Sequence, residues 1–316
     1  MLVSCGASVG PSSGSSESAQ LKTLAVTQIV EHPSLDAVRD GLKEELKTLG
    51  YTEGENLAWD WQSAQGNPAT AAQIAQKFVG DQPSAIVAIA TPSAQAAAAA
   101  TQDIPIIFSA VTDPVDAKLV ASAEAPGGNV TGVSDLTPVG EHLDLIKKIT
   151  PQVKTLGVIY NVGEANSVTL VKLIEAAVGD RGLSLQKATA TNSAGVATAA
   201  KSLVGKVDAI YVPTDNTVAS ALEAVLQVGY DNQLPVYAGD NDSVKRGAIA
   251  SLSFDYAGIG RETAKLVDRV FKGESPAAMA VVYPDTLELA INSGSAQKMG
   301  VDVPATILSE AKTVFE

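Results

Sequence analysis

From residue 21 onward the chain reads strand, helix, strand, helix, and near residue 155 the same order begins again. In the first pass Leu21–Ile29 is a short β-rich run. Leu35, Val38, Leu42, Leu46 and Leu49 then recur at helical spacing up to Gly50. Leu57–Trp61 is the next strand and Ala69–Val79 a helix. Ala85–Ala90 is a continuous apolar strand of the buried parallel type, Pro92–Ala100 an alanine-rich helix, and Ile104–Val111 another buried strand. In the second pass the strands are Thr155–Tyr160, Ser184–Ala188, Asp208–Val212 and Leu234–Ala238. The intervening helices are Val168–Gly182, Ala194–Val204 and Val218–Val228. Val26 corresponds to Val158 and Pro105 to Pro235, offsets of 132 and 130 residues. A chain duplicated in this way is expected to be α/β, with two doubly wound parallel-sheet lobes. Right-handed crossovers bring each lobe's strand carboxyl ends to one edge, and lobes that face each other there enclose a cleft.

The last third departs from the tandem. Ala248–Phe254 is a strand, Ile259–Phe271 a helix closed by Gly273, and Leu287–Ile291 a strand. The chain is therefore expected to pass between the lobes more than once. Residues 21–132 and 256–284 form the first lobe, and residues 133–255 and 285–316 the second. The hinge is a multiple crossover near residues 131–136, 254–256 and 284–289.

Composition removes several function classes. Lys and Arg number 22 against 35 Asp and Glu, a formal net charge of -13 that repels phosphate backbones, so no nucleic-acid partner is expected. The chain has one cysteine and two histidines, His32 and His142. An internal disulfide is impossible, and neither a structural zinc nor a cofactor is expected. No run approaches the roughly 18 apolar residues of a membrane span.

In open α/β sheets ligands sit beyond the strand carboxyl ends. Those ends are Thr27-Gln28, Ala90-Thr91-Pro92, Ser109-Ala110-Val111-Thr112-Asp113, Asn161, Pro213-Thr214-Asp215-Asn216 and Gly239-Asp240-Asn241-Asp242. Thr91, with Pro92 at the first helical position, reads as an N-cap. The helix amides behind it either hold a carboxylate or simply begin a well-capped helix. Asp215 either caps its helix or faces the cleft. Asp240 either pairs with a ligand ammonium or belongs to a turn. Glu164 faces cleft or solvent, with Asn166 or Ser167 capping the helix that follows. The absence of a strand-end arginine, Arg246 on an expected surface turn excepted, disfavours a dianionic ligand and favours a zwitterion. Catalytic groupings are poor: Ser109, Thr112 and Asp113 have no adjacent base. His32 reaches the cleft as a polar contact or cap, and His142 is expected on a helix surface. Gly127-Gly128-Asn129-Val130-Thr131-Gly132 has glycines at the wrong offsets for a dinucleotide loop, and its start reads as a turn. No enzymatic role is expected.

The first residues, Leu2-Val3-Ser4-Cys5-Gly6, resemble the lipobox of bacterial lipoproteins, without the apolar segment that precedes it, as in a trimmed precursor. The Ser- and Gly-rich stretch Ala7–Gln20 reads as a flexible tether. Cys5 is thus the candidate lipidation site, with a lipid anchor as the only membrane attachment.

Five strings, in matching order, point to one family. They are Val26–Pro33, Ala88–Pro92, Phe108–Pro114, Gly127–Ser134 and Tyr211–Asn216. Together they resemble the ABC-importer substrate-binding lipoproteins of the tryptophan/tyrosine-binding type. The resemblance implies a type I periplasmic-binding-protein fold that closes on one small molecule and delivers it to a membrane permease. It also implies an extracytoplasmic monomer with an aromatic amino acid as ligand. By that analogy Thr91 and Ala110–Thr112, next to Ser109, hold the carboxylate and part of the ammonium. Asp240 is the ammonium partner from the second lobe. Gln28, His32, Asn161, Glu164, Asn166, Thr214 and Asp215 line the pocket. Phe254, Tyr256 and Val111 are the candidates for contact with the ring. The competing ligands are a branched-chain amino acid, a nucleoside or a sugar. The competing roles are the sensing domain of a receptor or regulator and an enzyme using the cleft.

Overall fold

In the computed structural model the described residues are 21–316; Cys5 and the tether lie outside them. The chain begins with β1 (Lys22–Gln28), α1 (Pro33–Thr48), β2 (Leu57–Ser63), α2 (Pro68–Asp81), β3 (Ala85–Ile89), α3 (Thr91–Ala100), β4 (Ile106–Val111) and β5 (Val130–Ser134). These strands form one parallel sheet in the order β2-β1-β3-β4-β5. Its central strands β3 and β4 are buried along their whole length and almost entirely apolar, because helices cover both faces. β5 follows the Pro126–Asn129 stretch read above as a turn and was not among the strands expected from the sequence. Gly132 in it is required by packing, since a Cβ there would lie 2.1 Å from the Phe108 carbonyl oxygen. The first lobe therefore reaches Ser134, two residues beyond the expected boundary.

The second lobe follows with α4 (Val139–Ile149), β6 (Thr155–Tyr160), α5 (Ala165–Val178), β7 (Ser184–Thr189), α6 (Val196–Leu203), β8 (Ala209–Val212), α7 (Asn216–Ala219), α8 (Leu222–Asn232), β9 (Val236–Ala238), α9 (Asn241–Arg246) and β10 (Ala250–Ser253). Its parallel sheet has the order β7-β6-β8-β9. The single helix expected over 218–228 is two, α7 and α8, broken at Ala221. Arg246 ends α9 and pairs with Glu223 on α8 instead of occupying a turn. The chain then returns to the first lobe as α10 (Tyr256–Phe271) before closing the second with β11 (Glu288–Asn292), α11 (Ser293–Lys298), α12 (Ala305–Glu310) and β12 (Thr313–Phe315). β11 pairs antiparallel with β10 and parallel with β12.

Two separate apolar cores result. One takes in β1–β5 with Phe254, α10 and Val281, and the other takes in α4–β10 with Ala290 and Ile291. Phe254 thus belongs to the first lobe's core, not the second's. Residues 281–282 run beside β5, where the Val282 amide donates to Gly132 and Ser134 donates to Val282. α10 is held against α1 by a pair of glycines. A Cβ on Gly260 would sit 2.0 Å from the Val38 carbonyl oxygen, and one on Gly41 would sit 2.2 Å from that of Ala257. His142 on α4 is 2% exposed, not at the surface. The apolar positions Val139, Leu143, Ile146 and Ile149 put that face of α4 into the core and take His142 with it.

Candidate functional site

The strand carboxyl ends of the two lobes line a shared cavity. Nine of the residues anticipated from the sequence line it. His32, Thr91, Ala110, Thr112 and Tyr256 come from the first lobe, and Asn166, Thr214, Asp215 and Asp240 from the second. Thr91 does not cap its helix. α3 begins at Thr91 itself, after Ala90 at φ 74°, and no side chain caps it. The Thr91 hydroxyl is left free. Ala110 also lies in the left-handed region, at φ 55°, where the β4–β5 register shifts. Such strained alanines cost roughly 1–3 kcal/mol each and gather at binding sites.

Asp215 and Asp240 both cap and face the cavity. Asp215 accepts from the Val218 amide at 2.8 Å, the Asn161 amide at 2.6 Å and Ser167 Oγ at 2.6 Å. Asp240 accepts from the Ser243 amide at 2.8 Å and Ser243 Oγ at 2.7 Å. It also accepts from Ser34 Oγ at 2.8 Å, across the cleft. A second bridge between lobes joins Asp116 to Thr169 on α5, with Lys172 3.7 Å from the same carboxylate.

The other anticipated residues lie outside the cavity wall. Gln28 is buried and donates to the Val30 carbonyl and to Asp36, fixing the loop that leads to His32. Ser109 Oγ shares a 2.6 Å hydrogen bond with Thr263 on α10. Val111 and Phe254 are core residues. Asn161 Nδ2 donates to Thr217. Glu164 accepts from the amide and side chain of both Asn216 and Thr217 at the start of α7.

Five further residues complete the wall: Ser34, Leu35, Asp135, Asn216 and Ala219. Asp135 follows β5, and with that strand unassigned its strand-end position was concealed. Asp135 accepts from Thr112 Oγ1 and from the Tyr256 hydroxyl, each at 3.0 Å. Ser34 had a signal in Pro33, which starts α1 and sets the next residue in its first turn.

The wall holds no lysine or arginine. Burial raises the Asp135 carboxyl above the usual carboxylate range, and the charge of Asp240 adds to the effect. Burial, then the charge of Glu164, pushes Asp215 up to about 7. Burial lowers the His32 imidazole, against the opposing pull of Asp240. Four buried polar atoms of the wall have no partner within the protein: His32 Nε2, Thr91 Oγ1, Asn166 Oδ1 and Thr214 Oγ1. Nine in ten or more buried polar groups are ordinarily paired. Four such unpaired atoms gather around this one cavity. No cluster of three or more metal-ligating side chains occurs among the described residues.

Two α/β lobes, joined by three crossings and closed over a polar cavity to which both contribute, define a solute-binding protein of type I periplasmic-binding-protein architecture. The chain belongs to the family of ABC transporter substrate binding proteins, whose pattern it matches over residues 23–315. It is 40% identical over 296 residues to a tyrosine-binding protein of Clostridioides difficile, covering 92% of this chain and 86% of that one. An ABC domain from Streptococcus pneumonia, solved in complex with L-Trp, is 36% identical with a TM-score of 0.91, covering 94% of this chain and all of the other. The ligand-free, open structure of a substrate-binding protein with adhesive properties from Clostridium difficile is 39% identical over 93% of this chain and 99% of that one. It superposes with a TM-score of only 0.70. At nearly equal identity, this chain follows the ligand-bound neighbour more closely than the open one. The family's role is to bind a small-molecule substrate for an ABC transporter.

Proposed function

We propose that this protein captures an aromatic amino acid, tryptophan, tyrosine or phenylalanine, outside the cytoplasm and delivers it to its permease. It works as a monomer tethered through a lipid on Cys5. The observation that carries the reading is the set of four unpartnered polar atoms in a cation-free, acid-lined cavity shared by both lobes. A zwitterion suits such a wall. Its ammonium answers the carboxylates, and its carboxylate meets Thr91 and the Ala110–Thr112 segment at the start of α3. Leu35, Ala219 and Tyr256 offer apolar surface to a side chain. The relatives that bind tyrosine and tryptophan favour an aromatic one. Gln28, Asn161 and Glu164 act by holding the wall in place. Closure follows from contacts that a ligand makes to both lobes at once.

The test is a thermal-shift screen of the twenty amino acids with nucleosides and sugars. A ligand at a hundred times its Kd adds about 2.7 kcal/mol of stability. Shifts confined to aromatic amino acids support the proposal. A shift with a branched-chain amino acid, a nucleoside or a sugar moves the ligand and keeps the transport role. No shift with any of them removes the proposed ligand class.

A further inference from the structure

Asp135 and Tyr256 stand directly after two of the crossings between lobes, Asp135 after β5 and Tyr256 after β10. Asp135 is 4% exposed and lines the cavity. Each of its carboxylate oxygens accepts one hydrogen bond, from Thr112 Oγ1 and from the Tyr256 hydroxyl. Both donors are neutral hydroxyls. The two other carboxylates of the wall are accounted for by the fold: Asp215 and Asp240 cap α7 and α9 and accept backbone amides there. Asp135 caps no helix, and the one backbone amide that reaches its carboxylate is its own. The charged group nearest in influence is Asp240, which repels it. Burying a carboxylate costs several kcal/mol unless a cation and hydrogen bonds compensate, and the wall supplies no cation. Thr91, 1% exposed with its hydroxyl unpartnered, lines the same cavity and points independently to a bound polar molecule.

We propose that Asp135 receives the ligand's ammonium group and, through Tyr256, ties that charge to the two chain crossings on which the lobes pivot. The inference rests on the reading of this protein as an amino-acid-binding protein and deepens it. It assigns the ammonium to Asp135 and leaves Asp240 as the closure contact with Ser34. The protein then demands a free amino group, and it senses that group at the hinge instead of at the cleft mouth.

The test is calorimetric titration of the full protein with L-tyrosine and L-tryptophan. The same acids lacking the amino group, 3-(4-hydroxyphenyl)propionate and indole-3-propionate, serve as comparison ligands. The unmodified protein is expected to prefer each amino acid to its deamino counterpart by about 100-fold or more, the range for a desolvated charge pair. In Asp135→Asn that ratio falls to near one. In Asp240→Asn both ligand types weaken by a similar factor and the ratio persists. Thr112→Val and Tyr256→Phe unseat the carboxylate without removing it. Each is expected to shrink the ratio by roughly tenfold or more, the worth of one hydrogen bond to a charged group, and they serve should Asp135→Asn not fold. A ratio unchanged in all three Asp135-directed variants, or one that collapses only in Asp240→Asn, overturns the assignment. If the unmodified protein binds no amino acid, the underlying reading fails, and the assignment with it. Binding of amino acid and deamino acid with equal affinity removes the assignment alone.

Discussion

Ser34 Oγ donates to Asp240 Oδ1 at 2.8 Å, joining side chains 206 positions apart on opposite sides of the cleft. The bond exists only when the lobes are together. Asp240 keeps two donors from Ser243 without it. Ser34→Ala therefore strands no buried charge and acts on closure. A hydrogen bond to a charged group is worth about 1.5–3 kcal/mol, so ligand affinity should fall roughly tenfold or more. Titration calorimetry checks it, and an unchanged Kd would show that the bond does not contribute to closure.

Thr91→Val separates binding from folding. The hydroxyl has no partner in the protein, so removing it costs the ligand-free fold nothing and spares the desolvation of a buried polar atom. The ligand-free melting temperature should hold or rise while affinity drops by about tenfold. A lower melting temperature in the absence of ligand would mean that the hydroxyl serves the fold.

His142 makes stability depend on pH. Its Nε2 lies 2.5 Å from the Leu252 carbonyl oxygen, which only accepts, so Nε2 carries the proton. Nδ1 then accepts from the Tyr211 hydroxyl at 2.5 Å. Burial lowers this imidazole below its ordinary 6.5, while the Leu252 hydrogen bond and the charge of Asp240 oppose the shift. A depressed pKa means the unfolded chain binds the proton first as pH falls. The contribution is complete above pH 6.5 and is lost as acidification passes that value towards the folded pKa. Urea denaturation of the protein and of His142→Gln at several pH values should show the stability difference shrinking below about pH 6.5. Asp135 and Asp215, whose carboxyls are raised, act in the opposite sense in both proteins and cancel from the comparison.

Gly260→Ala tests the seam between α1 and α10. The new methyl would meet backbone of α1 at Val38 and Leu42, 2.0 and 2.7 Å away, and no side chain can move aside there. Overpacking of this kind costs about 1–3 kcal/mol or more. Since α1 carries Ser34 and Leu35 to the cavity, affinity should fall with the melting temperature. Unchanged values for both would contradict this packing.

Much of this was legible from periodicity. Strands buried on both faces, such as Ala85–Ile89, read as unbroken apolar runs, and α1 shows its spacing in five leucine and valine positions. β5 did not, because its glycine serves a close approach to Phe108 that only tertiary structure reveals. Losing β5 cost the site Asp135. Likewise, the polarity of Thr91 suggested a cap, whereas its neighbour Ala90 takes an unusual backbone conformation that releases the hydroxyl for another use. Asp215 and Asp240 were visible as strand-end acids; Asp215 both caps α7 and faces the cavity, and Asp240 caps α9 where a turn was one of the two readings.

The seam between α1 and α10 also governs when the molecule can take shape. Lys22 Nζ donates to the Phe271 carbonyl oxygen, 249 positions away, and the second lobe still lacks β12 when that contact becomes possible. Domains made from one continuous stretch fold as they leave the ribosome, the amino-terminal one first. Here the first lobe is not complete until residues 281–282 have been added, and the second not until β12. Neither lobe can reach its final packing while the chain is still short.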